Sequence, residues 1–365
     1  MEKSTAFVGL DVHKESIEVG VAQAGEARLF GRCGGDAASV DQLVRKLSQR
    51  HRQLMFVYEA GPCGFWIYRR LTARGLDCMV VSPSMMPRRP GDHIKTDRRD
   101  CLNLARLARA GELDPIYVPD AHDEAVRDLV RAREDCVCMQ TQARQRLQAL
   151  LLRNEVRYAG KTAWTQAHRR WIASLKLPDP AQQIAFEEYV QSVEEATRRV
   201  ERLGAVITAQ IEHWRWRPLV LALQAFRGIS VIHAVRIVAE LGDLTRFDSP
   251  RKLMGYLGLI PSEDSSGARR RQGSITKAGN SSARRAFVEA AHAYAHPARV
   301  SWVIARRQGD LPKGVADTAW KAQVRLCARF RRLAARGMNR NKVVVAIARE
   351  LSGFVWAVGQ QVKPS

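Results

Sequence analysis

Residues 122–152, HDEAVRDLVRAREDCVCMQTQARQRLQALLL, frame the whole chain. Val126, Leu129, Val130, Val137, Ala143, Leu147 and Leu150 recur close to helical spacing with charges between them, which predicts one long helix. LKLPDPAQQ at 175–183 breaks that pattern, because proline lacks a backbone donor and clashes with the turn before it. A second long helix then runs to about His213. The pair predicts a helical hairpin or coiled-coil arm over 121–215, with a domain on either side.

Before the arm, strand and helix signals alternate. TAFVGLDV and SIEVGVAQ are short β-branched runs joined by a tight polar turn, and LMFVYEAG and LDCMVVSP are further buried-strand candidates. Helical patterns, DAASVDQLVRKLSQRH and GFWIYRRLTARG, lie between them. A hairpin followed by strand–helix repeats predicts a mixed α/β domain over 1–120. Residues 216–365 read as mostly α-helical, and the chain shows neither an internal repeat nor a low-complexity tract.

Charge narrows the partner. The chain has 365 residues, with 59 Lys and Arg against 37 Asp and Glu, a formal net charge of +22 that attracts a polyanion. Nucleic acid leads. A membrane is the rival, yet no apolar run approaches the roughly 18 residues of a spanning helix, and no signal-peptide pattern opens the chain. The expectation is a cytoplasmic protein. Seven cysteines, odd in number and without paired CxxC spacing, predict neither a disulfide framework nor a zinc site; they read as reduced and mostly buried.

Four carboxylates stand where packing does not ask for them. Asp11 lies inside the first strand and Glu59 ends a later one, ahead of a Gly-Pro turn; Asp97 and Asp100 open the helix KTDRRDCLNLARL. A buried strand carboxylate is costly unless it is hydrogen-bonded or bound to metal. Acids in a first helical turn complement the helix dipole without any partner, and strand-end acids can cap the next helix. As an ordered set, however, they follow the layout by which ribonuclease-H-like folds gather carboxylates around one or two Mg²⁺ or Mn²⁺ ions. His13, beside Asp11, reads as a turn residue rather than a general base.

Downstream, PSEDSSGARRRQGSITKAGN carries Arg269, Arg270 and Arg271, with Lys277, Arg284 and Arg285 beyond. A charge run is usually a solvated face; Gly267, Gly273 and Gly279 instead predict a shaped loop against a polyanion. Ser265 and Ser266 precede Gly267, although Ser-Ser-Gly is also ordinary loop composition. FRGISVIHAVRIVAELGD is helix–turn–helix in pattern and resembles a helix-hairpin-helix module that offers backbone N–H groups to phosphates. Ser230 stands where a second glycine is usual, and a plain packing turn fits equally. WRWRP at 214–218 reads as packing more readily than as a base-stacking platform.

GLDVHK, YEAGPCG and KTDRRDCLNLARL, together with the block at 226–291, are similar to the DEDD-type insertion-sequence transposases. These are kin of the Piv/MooV site-specific invertases and are described as bridge-RNA-guided recombinases. The resemblance implies a RuvC-like, ribonuclease-H-like N-terminal domain in which Asp11, Glu59, Asp97 and Asp100 hold Mg²⁺ or Mn²⁺. It carries the family's nucleophilic serine onto Ser266, with Ser265 as the off-by-one alternative. It further implies a C-terminal transposase domain, DNA donor and target sites, a structured non-coding guide RNA, and a homo-oligomer, dimer or tetramer, with composite active sites.

A covalent phosphoserine would conserve the broken bond without ATP, and no GxxxxGK[ST] loop is present. The competing readings are a metal-only structure-selective nuclease such as a junction resolvase, a non-enzymatic DNA-binding protein, and, last, an actin-like kinase, which lacks its glycine-rich phosphate loops.

Overall fold

The computed structural model describes residues 5–87, 96–266 and 269–365, with the side chains of residues 264–270 outside that description. The chain divides into two compact units, Met1–Pro119 and Asp120–Ser365.

The first unit is a five-stranded mixed sheet with helices on both faces. Its elements are β1 (Ala6–Val12), β2 (Ser16–Gln23), β3 (Glu26–Gly34), α1 (Ala37–Ser48), β4 (Leu54–Glu59), α2 (Trp66–Thr72), β5 (Asp77–Val81) and α3 (Asp97–Ala110). The strand order is β3-β2-β1-β4-β5. The first three strands pair antiparallel, and β4 and β5 run parallel to β1. Strand alternation sorts the side chains. Val8, Leu10, Ile17, Val19, Phe56 and Tyr58 pack with α1 and α2, whereas Val57 and Val81 pack with Leu104 and Ala108 of α3.

The sequence pattern missed β3. Its residues are exposed or half-buried throughout, as suits an edge strand, so no apolar alternation announces it.

The second unit opens with the arm. α4 (Ala121–Arg153) and α6 (Pro180–Gln210) pack along each other, and α5 (Gln166–Ser174) lies between them in sequence. Leu147, Leu150, Leu151, Ile172, Phe186 and Val193 form a separate apolar cluster there. The proline break at 175–183 leads into α6, and a turn and a short helix that the sequence pattern did not show separate it from the end of α4.

Beyond the arm come α7 (Arg217–Leu223), α8 (Val231–Leu241), α9 (Pro250–Tyr256), β6 (Pro261–Ser266), β7 (Arg269–Ile275), α10 (Ser281–Ala291), α11 (Trp302–Gln308), α12 (Lys313–Ala335) and α13 (Arg340–Gly359). α13 runs through the core, where Val343, Val344, Ile347, Leu351 and Val355 are fully buried. The glycine-punctuated basic segment is an antiparallel hairpin, β6–β7, rather than a loop.

The Gly228 turn packs: with φ +83, it presses so closely on α10 that a side chain there would strike the Ala290 carbonyl. Ser230 caps α8, accepting from the His233 N–H. Trp214 and Trp216 are buried, and both indole N–H groups donate to Asp123, at 2.7 and 3.1 Å, so neither is a stacking platform.

All seven cysteines are free thiols, but only Cys101 and Cys327 are buried; Cys138 is exposed and the rest are intermediate. No described helix is long and apolar enough to cross a membrane.

Candidate metal centre and nucleic-acid interface

Gly9 and Gly20 are direct partners across β1 and β2. A Cβ on Gly9 would collide with the Cys101 carbonyl oxygen and lie 2.7 Å from the Ala105 amide nitrogen; one on Gly20 would come within 2.9 Å of the same carbonyl. Only a bare backbone lets α3 lie this close to the sheet. Residues 9 and 11 share a face of β1, so Asp11 stands on the side that α3 covers.

The Thr96 hydroxyl caps α3 by accepting from the Arg99 N–H, and Asp97 and Asp100 follow in the first turn. The helix N-terminus therefore stabilises both acids through its dipole while α3 packing aims them toward the end of β1.

His13 joins them. Its Nε2 lies 3.2 Å from Asp11 Oδ2, within hydrogen-bonding reach, and 3.6 Å from Asp97 Oδ2. One ligand atom from each of Asp11, His13 and Asp97 falls within 4.8 Å of the others. Ligands about 2.2 Å from an ion span up to about 4.4 Å, so a small adjustment brings the three onto one cation.

Asp11 is the half-buried member. Burial raises its carboxyl above the ordinary value and the charges of Asp97 and Asp100 add to that, while the charge and hydrogen bond of His13 act the other way. A cation among these groups would relieve the repulsion. Carboxylate oxygens with one imidazole nitrogen suit Mn²⁺ and also accept Mg²⁺.

Glu59 arrives by register. Leu10 pairs with Tyr58, so the next residues, Asp11 and Glu59, come level at the carboxyl ends of neighbouring parallel strands. The structure thus brings Asp11, Asp97 and Asp100 into one electrostatic group and adds His13, whose sequence signal, an imidazole two residues past an acid, is too common to single it out.

In the second unit, Ser266 ends β6, opposite Arg269 in the hairpin register; Ser265 faces Arg270 and Asp264 faces Arg271. The side chains of Ser266, Arg269 and Arg270 lie outside the described residues. Arg271, Lys277 and Arg285 are exposed. Arg284 is not free to meet a phosphate: its Nη1 donates to the carbonyls of Leu257 and Ala278, each at 2.9 Å.

A buried ionic network holds the hairpin's exit against the arm. The Glu240 side chain, with no exposure, accepts from Arg131 of α4 at 2.8 and 3.0 Å and from Asn280, the cap of α10, at 2.6 Å. Burial disfavours the Glu240 carboxylate, but those hydrogen bonds and the charges of Arg131 and Arg127 outweigh it and hold its pKa below the ordinary value.

Comparison with known proteins identifies the family. Residues 8–154 match a family model for the DEDD transposases of IS110 elements, described as "Transposase", and residues 221–305 match one described as "Transposase IS116/IS110/IS902 family". The chain is 42% identical over 361 residues to the putative transposase y4qE of Sinorhizobium fredii, covering 98% of this chain and 89% of that one. It is 28% identical over 337 residues to the transposase for insertion sequence element IS1533 of Leptospira borgpetersenii, covering 91% and 97%. Over 369 residues it is 23% identical to the transposase for insertion sequence element IS1111A of Coxiella burnetii, covering 98% and 90%. With end-to-end similarity of this extent, and both models met in chain order, the protein belongs to the IS110/IS116 family of insertion-sequence transposases.

Proposed function

We propose that this transposase cuts and rejoins DNA through a phosphoserine intermediate at Ser266, with a divalent metal held by Asp11, Glu59, Asp97 and Asp100 and by His13. The observation that carries the metal reading is the meeting of Asp11, His13 and Asp97 at the end of β1. A ribonuclease-H-like first unit accords with the strand order β3-β2-β1-β4-β5 and its change from antiparallel to parallel pairing.

Bound Mg²⁺ or Mn²⁺ would withdraw charge from the scissile phosphate. Ser266 Oγ forms the bond to phosphorus as one deoxyribose oxygen leaves; the serine gives up its proton and the departing oxygen gains one. Attack by a new deoxyribose hydroxyl then breaks the serine–phosphorus bond, returns a proton to Ser266 and leaves the number of phosphodiesters unchanged. Exposed Arg271, Lys277 and Arg285, with Arg269 and Arg270, supply positive charge along the DNA.

A structured guide RNA pairing with donor and target would let one basic protein address two sites. The protein works as a homo-oligomer of two or four chains. Gel shifts at fixed salt test the guidance: equal discrimination of both sites by RNA-free protein rejects it.

The deciding experiment uses a substrate that blocks rejoining. Wild type yields a denaturant-resistant protein–DNA adduct whose modified peptide contains Ser266. Ser266→Ala yields neither adduct nor recombinant yet still binds DNA, and Ser265→Ala retains both. Normal cleavage by Ser266→Ala, with no adduct in wild type, replaces this mechanism with metal-only hydrolysis.

A further inference from the structure

A cavity of about 320 Å³ lies on the arm, among α4, α5 and α6, lined in part by Arg144, Trp164, Arg169, Thr197 and Arg198. Its chemistry is unusual for a packing defect. Trp164 has φ +64, a left-handed conformation that is strained for a bulky residue. The Arg144 guanidinium sits 4.8 Å from the centre of the Trp164 ring, and its Nε is buried without a hydrogen-bond partner.

Arg144 also feels Arg169. Burial, and then the charge of Arg169, push the Arg144 guanidinium below its usual pKa. Glu194 and Glu201 share the lining, yet no ion pair joins either to Arg144, Arg169 or Arg198 among the described residues. Two guanidinia that repel each other beside a strained indole form an arrangement that neither folding nor arm packing requires. An apolar residue over Trp164, and a turn residue suited to positive φ in place of the tryptophan, would pack the arm at lower cost.

Behind the indole the apolar floor is already filled. His168 is 4% exposed, with ring centres 4.7 Å from Tyr158, 5.2 Å from Trp164 and 5.4 Å from Trp171. The strain at Trp164 is therefore supported from within, as a rigid binding wall needs.

We infer that this cavity is a nucleotide-binding site on the arm, which takes one unpaired nucleotide of a single-stranded nucleic acid against Trp164 with its phosphate between Arg144 and Arg169. An anion removes the repulsion between the guanidinia and gives Arg144 Nε an acceptor. A base contributes a flat apolar face to the indole, and the carboxylates Glu194 and Glu201 accept from its amino groups. Duplex DNA is a poor occupant, since its bases are stacked and paired. RNA and DNA strands share this chemistry. The inference is independent of cleavage, because strand capture by the arm needs neither the acids nor Ser266.

Full-length protein is titrated, at fixed salt, into fluorescent 20-nucleotide single-stranded RNA, the matching single-stranded DNA, and the duplex. The variant Arg144→Gln/Arg169→Gln should lose tenfold or more in single-strand affinity, keep its duplex affinity within twofold, and melt at or above the wild-type temperature because a like-charge contact is gone. A larger loss for RNA than for DNA assigns the site to RNA, and the reverse assigns it to DNA. Ultraviolet cross-linking of wild type to the bound strand should label a peptide containing Trp164, a readout that does not depend on how the variant folds. Equal losses for strand and duplex, unchanged single-strand affinity, or cross-links confined to other segments would overturn the inference.

Discussion

Gly9 and Gly20 face each other across β1 and β2, and the Cys101 carbonyl of α3 lies over both. That contact fixes the height of α3 above the sheet, and with it the reach of Asp97 and Asp100 to Asp11. Gly9→Ala should destabilise the first unit by about 1–3 kcal/mol, since the new methyl meets backbone that cannot turn aside. Urea unfolding measures this. Mn²⁺ affinity should fall in parallel, while Gly25→Ala, which strains a turn at φ +98 but meets nothing within 4 Å, should lower stability and leave Mn²⁺ binding unchanged.

The acids and His13 make separable claims. Asp11→Asn, Glu59→Gln, Asp97→Asn and Asp100→Asn should each abolish strand cleavage with the fold retained, because each removes charge with little change of shape; wild-type rates in any of them would remove that residue from the centre. For His13 the readout is spectroscopic. Bound Mn²⁺ should show electron-spin-echo modulation from a directly coordinated ¹⁴N nucleus, and His13→Ala should lose it. Modulation that survives the substitution would show that the imidazole only steadies Asp11.

Glu240 gives the second unit an acid-sensitive joint. Its folded pKa lies below the unfolded value, so its contribution is complete above the ordinary carboxylate range and disappears as pH falls through the folded pKa. Glu240→Gln should cost about 1–3 kcal/mol at pH 7 and flatten the acid limb of a pH–stability profile. An unchanged acid limb would mean that other carboxylates control it.

The basic residues around the hairpin should divide by role. Arg271→Gln and Arg285→Gln should each reduce the salt dependence of DNA binding by about one unit of slope without loss of stability. Arg284→Gln should instead lower stability, because two backbone carbonyls lose their donor. A variant of Arg284 that melts like wild type and binds DNA less tightly would reverse that assignment.

Much of this molecule is legible from its residues, and what is not follows a physical pattern. β1, β4 and α3 announce themselves through apolar periodicity, so Asp11, Glu59, Asp97 and Asp100 can be singled out as candidates beforehand. β3 and the β6–β7 hairpin escape because their backbones, not their side chains, carry the pairing. His13 escapes because its value lies in a contact across 84 positions to Asp97 (97 − 13), set by how closely α3 approaches two glycines. Arg284 looks like a nucleic-acid contact in sequence, yet it serves backbone carbonyls in the structure, whereas the tryptophans of WRWRP read as packing and are found buried against Asp123. The residue type gives the chemistry, and burial decides what it is spent on.

α4 is 33 residues long, so it extends about 50 Å at the helical rise per residue. Arg131, near one end, grips Glu240, which in turn holds the cap of the helix that follows the β6–β7 hairpin. The arm is in effect a lever with its fulcrum beside the hairpin: a tilt of about 10° at that pivot sweeps the far end of α4, roughly 33 Å away, through about 6 Å. Small adjustments at the hairpin's anchor are thereby magnified at the opposite end of α4, and a load applied there would exert a matching torque on that anchor.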